Sequence, residues 1–187
     1  MAPRSPRELL MATLYTIGHS TRSLDDLTTA LQHHSIETLV DIRAFPASRR
    51  LPHFNRESLE AALPALGIRY IWMKALGGYR KKTREDSPNT GLRNVSFRNY
   101  ADYMLTPEFE QAAAELVELA ETSRTGYMCA ERMWFQCHRM LVSDWLVAHG
   151  HNVLHIDGKA PPKPHDLTRE GHLIDGQLIY SNTPLFS

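Results

Sequence analysis

The chain has 187 residues, is 42% hydrophobic and 22% charged, balances 21 basic against 21 acidic side chains, and carries only two cysteines. That composition predicts one globular domain with a core large enough to need no staples, and it argues against a disulfide framework. Met1 to Met11 lacks an apolar run of signal length and no segment approaches a membrane span, so a flexible segment over residues 1–12, no membrane contact and a reducing cytoplasmic setting are expected.

Leu14 to Ile17 reads as a short strand ending in Gly18-His19-Ser20, and Ser23 then caps a helix whose Leu24, Leu27 and Leu31 share one face. Thr38 to Arg43 is a buried strand with Asp41 and Arg43 at its end. Asn55 can cap the next helix, whose stripe is Leu59, Ala62, Leu63 and Leu66 and whose stop is Gly67. Pro64 conflicts with its last turn, because proline lacks the backbone donor. Ile68 to Met73 is a third strand. Lys74 to Val95, with Gly77-Gly78 and Ser87-Pro88-Asn89, reads as a long loop, either a substrate arm or disordered.

Ser96 to Leu105 reads as a short helix, and Thr106-Pro107 opens another with Phe109, Ala112, Ala113, Leu116, Val117 and Ala120 on its apolar face. Thr125 to Met128 is a fourth strand. The run from Cys129 to Arg139 follows, and Met140, Leu141, Trp145 and Ala148 mark a helix behind it. Asn152 to Ile156 is a last buried strand, and Ile174-Asp175-Gly176-Gln177 is a hairpin turn. This alternation predicts a single three-layer α/β domain over residues 13–187: a largely parallel sheet flanked by helices, with a small C-terminal β-hairpin.

Ligands of such sheets lie beyond the carboxyl ends of the strands. His19 and Ser20, Asp41 and Arg43, Lys74, and Cys129 with Glu131 all fall at those ends. The neutral total also hides an asymmetry: residues 43–98 carry twelve Lys or Arg against four acids. That region forms either a face for a phosphate-bearing partner or a set of charges solvated separately.

Several of these segments together resemble the domain-of-unknown-function family 488, a set of small bacterial and archaeal proteins. The resemblance rests on Thr16-Ile17-Gly18-His19-Ser20, Val40-Asp41-Ile42-Arg43 with Pro46 and Ser48, Leu76-Gly77-Gly78, Cys129-Ala130-Glu131 and Cys137-His138-Arg139. His155-Ile156 and His165-Asp166-Leu167-Thr168 are similar to the family's ending. The resemblance implies a shared fold and a shared site, with no reaction attached.

Chemistry is therefore read from the residues. Cys137, at a helix start beside His138 and Arg139, has surroundings that lower a thiol's pKa, and Cys129 is the alternative nucleophile or a core residue. Glu131 and His19 are candidate acids or bases. Arg43 and Arg139 suit an anion, with Lys74, His138, Ser20 and Asp41 as further binding candidates. Asp41 alternatively pairs with Arg43 or Arg139, and Ser20 alternatively serves the turn. Trp134 and Phe135 either stack on a base or pack under their loop. His33, His34, His149 and His151 are expected to be exposed.

Three readings follow. The first is an enzyme performing hydrolysis or transfer on a phosphate-bearing nucleotide or nucleic acid through Cys129, Glu131, Cys137 and His19, with no cofactor. The second is a Zn or Fe protein using Cys129, Cys137, His138 and His19, although its spacing lacks the paired ligands of common zinc sites. The third is a non-catalytic nucleic-acid binding module. The partner is an anionic small molecule or a nucleic acid in each enzyme or binding reading. Dinucleotide, phosphate-loop and serine-elbow signatures are missing from the sequence.

Overall fold

Side chains alternate between the two faces of a strand, so a sheet buried on both sides needs apolar residues at successive positions. The strands β1 (Thr13–Gly18), β2 (Thr38–Asp41) and β4 (Thr125–Cys129) meet that demand, with every β2 and β4 position buried. Leu14, Val40 and Tyr127 point into one core, and Tyr15, Ile17, Leu39 and Met128 into the other. The protein is described here by a computed structural model covering residues 11–182. Most of the expected flexible N-terminal segment and the last five residues of the domain lie outside the described residues.

With β3 (Arg69–Trp72), β5 (Asn152–His155) and β6 (Lys163–Pro164), the sheet has the order β3-β2-β4-β1-β5-β6. The first five strands are parallel, and only β6 runs antiparallel to β5. Helices α1 (Leu24–His33) and α2 (Arg56–Ala62) contribute Leu27, Leu31 and Leu59 to one core. On the other face lie α3 (Val95–Met104), α4 (Pro107–Thr122) and α5 (Arg139–Ala148), through Tyr100, Phe109, Leu116 and Leu141. The molecule is thus a single three-layer α/β domain. Strands β7 (Gly171–Ile174) and β8 (Gln177–Tyr180) form the expected hairpin, turning through Asp175 and Gly176 at φ 50° and 82°.

Several boundaries differ from the sequence reading for local reasons. Pro64 ends α2 at Ala62 and starts a separate 3-10 turn that stops at Gly67, whose φ of 75° suits glycine. Asn94 caps α3, accepting from the N–H groups of Ser96 and Phe97. Strand β6, only two residues long, has no periodicity to reveal it. The long 74–95 segment is tied down rather than loose. Asn89 is fully buried, donating to Asp102 Oδ1 at 2.8 Å and accepting from Tyr180 N at 3.0 Å. His34 and His151, expected at the surface, are buried, because their ring nitrogens meet Gly158 O and the Ala12 N–H. No helix among the described residues is long and apolar enough to cross a membrane.

Candidate functional site

The carboxyl ends of β1 and β4 lie side by side, Gly18 opposite Cys129. His19 N and Ser20 N extend that pairing, donating to the carbonyls of Cys129 and Ala130 at 3.0 and 2.8 Å. Ser20 has a φ of 52°, so it occupies a left-handed turn position directly after β1. The strand-to-helix connection then crosses over Gly18, where a Cβ would lie 1.8 Å from the carbonyl oxygen of Glu131. Only glycine permits that crossing.

Cys129 ends β4 and Cys137 precedes α5, and their sulfurs stand 2.8 Å apart. Both thiols are free, Cys137 being 8% exposed and Cys129 2%. Arg139 reaches both: its Nε donates to Cys129 Sγ at 3.1 Å, and its backbone N–H to Cys137 Sγ at 3.4 Å. The hydrogen bond from Cys129, aided by the Arg139 charge and N–H, draws the Cys137 thiol down to about 7 against the opposing effect of burial. Burial pushes the Cys129 thiol up. The pair is therefore asymmetric, with the proton favoured on Cys129 and the negative charge on Cys137.

The other Arg139 contacts hold the connection in place. Its Nη1 donates to Thr16 Oγ1 at 3.0 Å, and Nη2 to the carbonyls of Glu131 and Arg132 at 2.6 and 2.9 Å. Arg43 is engaged in the same way. It donates to Asp41 from Nε and from Nη2, the latter at 2.6 Å, to Phe54 O at 2.7 Å and to His19 Nε2 at 3.2 Å. Tyr70 Oη also donates to Asp41, at 2.6 Å. Of the two partners considered for Asp41, the fold selects Arg43. Neither guanidinium presents the open fork that clamps a phosphate.

His19 donates through Nδ1 to Ser20 O at 2.8 Å and stacks on Phe54 with ring centroids 4.2 Å apart. Burial pushes its pKa down to about 4. Burial does the same to His138, whose Nε2 donates to Ile42 O at 2.8 Å. His138 is thus neutral and adds no cation beside Cys137, contrary to the sequence expectation. Its ring packs against Gly78, where a Cβ would lie 2.2 Å from Nδ1.

Between these clusters opens a crevice of about 360 Å³ lined by both cysteines, Arg43, Glu131, Gln136 and His138. Phe45, Tyr79, Phe97 and Tyr100 supply aromatic walls. Phe45 and Tyr79 are exposed, with centroids 6.3 Å apart. Glu131 is exposed at this crevice and meets neither Ser20 nor Arg43. Trp134 and Phe135 do not line it. They wall a second crevice, where Trp134 stacks on His155 at 4.4 Å. Lys74 lies in a separate depression with Arg80 and Glu108.

Among the described residues, no group of three or more His, Cys, Asp or Glu side chains is placed to hold a metal ion. The set Cys129, Cys137, His138 and His19 is split, because each imidazole is turned to its own backbone carbonyl. Sequence reasoning missed the aromatic wall, although Phe45 and Tyr79 follow the ends of strand segments. It also missed Asp144, a carboxylate lying inside the apolar stripe of α5.

A family model described as "Domain of unknown function DUF488" matches residues 23–146, a span that contains the thiol pair, Arg43 and Glu131. No curated protein and no solved structure matches the chain.

Proposed function

The chain belongs to the family described as domain of unknown function DUF488, and from that premise we propose that it is a thiol-dependent enzyme with Cys137 as nucleophile. The observation that carries this reading is the Cys129–Cys137–Arg139 cluster beside the aromatic crevice. The Cys137 thiolate forms a bond to an electrophilic centre of the substrate as the bond to the leaving group breaks. Water or a second acceptor then displaces Cys137 from the adduct. Glu131, at the crevice, is the carboxylate available to pass protons to the leaving group and from the acceptor.

The substrate class in this reading is a phosphate-bearing nucleotide or nucleic acid. A planar base suits Phe45 and Tyr79, because stacking is tolerant of base identity. The segments leaving those residues carry the exposed cations Arg49, Arg50, Lys81 and Arg84, which neutralise phosphate without specific geometry.

Iodoacetamide labelling followed by peptide mapping tests the nucleophile. One thiol is expected to react fast, with a rate rising through a midpoint near pH 7, and to map to Cys137. Cys129→Ser, which replaces the S–H donor, is expected to move that midpoint. Fast labelling of Cys129, or of neither thiol, refutes the reading. Turnover on a nucleotide panel should fall about 10³-fold in Cys137→Ser.

The 2.8 Å sulfur separation favours a second reading, a dithiol that closes to a disulfide and passes two electrons and two protons to an oxidised substrate. Cys129→Ser separates the two, since transfer needs only Cys137 whereas dithiol reduction needs both sulfurs.

A further inference from the structure

The second crevice, of about 400 Å³, lies across the 132–135 segment from the thiols. It is lined by Trp134, Phe135, His155, Asp157 and Lys163, with Arg139 in its wall. Behind His155 runs a buried polar chain whose members make no hydrogen bond to either thiol. Asp144 is fully buried and accepts from Thr168 N at 2.8 Å and from Tyr180 Oη at 2.9 Å. His165 Nε2 lies 2.8 Å from the same carboxylate, and in the neutral tautomer that donates from Nε2 to it, Nδ1 is bare. His155 Nε2 stands 3.0 Å from that Nδ1, and in the same tautomer it donates in turn, leaving its own Nδ1 as an acceptor.

The relay leaves one atom unsatisfied. His155 is 7% exposed and its Nδ1 is buried with no hydrogen-bond partner among the described residues. Buried polar atoms are nearly always paired, and an exception calls for a cause. Burial together with His165 and Arg139 pushes the His155 pKa down to about 3, so the ring is neutral and Nδ1 offers a lone pair. An acceptor held this way is suited to receive an N–H, not to act as a base near neutrality.

The other groups narrow what can bring that N–H. Trp134 covers the His155 ring, the two planes 9° apart, and its indole also makes ring contacts with Phe135 and His165. Phe135 is 46% exposed at the same crevice. Asp157 is paired with Arg22 and Arg132, whereas Lys163 has no ion-pair partner among the described residues.

We propose that this crevice is a second ligand site that takes a planar nitrogen heterocycle bearing an anionic group, as in a nucleoside monophosphate. A ring N–H donates to His155 Nδ1 in the plane of the imidazole, the indole of Trp134 covers one face of the heterocycle, and the anion meets the Lys163 ammonium. The site does not depend on the thiol reading.

The test is titration of the full chain with AMP, GMP, UMP and inorganic phosphate, read by calorimetry and by tryptophan fluorescence. GMP or UMP, whose bases carry a ring N–H, is expected to bind saturably with a fluorescence change and more tightly than AMP, whose base carries none, and inorganic phosphate is not expected to bind. His155→Phe keeps the stacked ring, removes the acceptor and should weaken binding at least 10-fold. Lys163→Gln, at an exposed position that leaves the fold intact, should weaken it several-fold, and Trp134→Phe should abolish the fluorescence change. If His155→Phe fails to fold, the Lys163 and Trp134 variants decide. Cys137→Ser should bind like the unmodified protein, which separates failure of this site from failure of the thiol reading. No nucleotide binding, equal binding of bare phosphate, or binding indifferent to all three variants overturns the proposal.

Discussion

At the scale of single residues, position brings an ordinary thiol's pKa down towards neutrality. Cys137 owes its lowered pKa to one sulfur donor and to the groups of Arg139, since burial alone acts in the opposite direction. Arg139→Met, which keeps bulk and removes the charge, should therefore shift the alkylation midpoint above 7 and slow labelling at neutral pH. The same substitution frees the Glu131 and Arg132 carbonyls, so a lower thermal midpoint is expected alongside it. Gly18 supports the site by lacking a side chain. Gly18→Ala places a methyl against the Glu131 carbonyl and should cost about 3 kcal/mol in denaturant unfolding, unless the 129–131 connection is displaced and the fast thiol is lost with it. Cys137, Arg139 and Gly18 were all visible in the sequence as motif members. The tasks of the two arginines were not, because a guanidinium satisfied by carbonyls, sulfur or a carboxylate is written with the same letter as one open to solvent.

Elements carry the next level of argument. Helix α1 begins with a capping box in which Ser23 Oγ accepts from Asp26 N at 3.0 Å and the Asp26 side chain returns to Ser23 N. Ser23→Ala should lower stability by about 1 kcal/mol, measured by urea unfolding, and leave thiol reactivity unchanged. The end of β2 is more demanding. Asp41 is fully buried with Arg43 and Tyr70 as partners, and Asp41→Asn leaves the guanidinium without its counter-ion, at a cost of about 3–5 kcal/mol. Element types followed from periodicity and capping residues, and Pro64 acted on α2 as its chemistry requires. Strand β6 and the anchoring of the 74–95 segment did not follow, since both depend on partners distant in sequence, such as Val153 for His165 and Tyr180 for Asn89.

At the scale of the whole molecule, buried neutral histidines link the fold to pH. His19 and His138 titrate near 4 and His155 near 3 in the folded chain, all below the ordinary value of 6.5. The unfolded chain then binds more protons than the folded one below 6.5, so stability rises with pH in that range. Their contribution is complete above pH 6.5 and is lost as pH falls towards 4 and then 3. The thermal midpoint should thus drop by several degrees between pH 6.5 and 4.5, and His19→Phe, if folded, should flatten that slope. The amino-acid sequence by itself determined the α/β class, the parallel order of alternating strands and helices, the hairpin and the family, because these rest on short-range periodicity and motif spacing. Only the tertiary structure decided which polar residues meet: it joined Cys129 to Cys137, occupied Arg43 with Asp41, sent Trp134 and Phe135 to a second crevice, and assembled Asp144 of α5, His155 of β5 and His165 just after β6. Those pairings come from the side-by-side placement of β2, β4, β1 and β5 in the sheet, and the distance between side chains after folding is not a function of their separation along the chain.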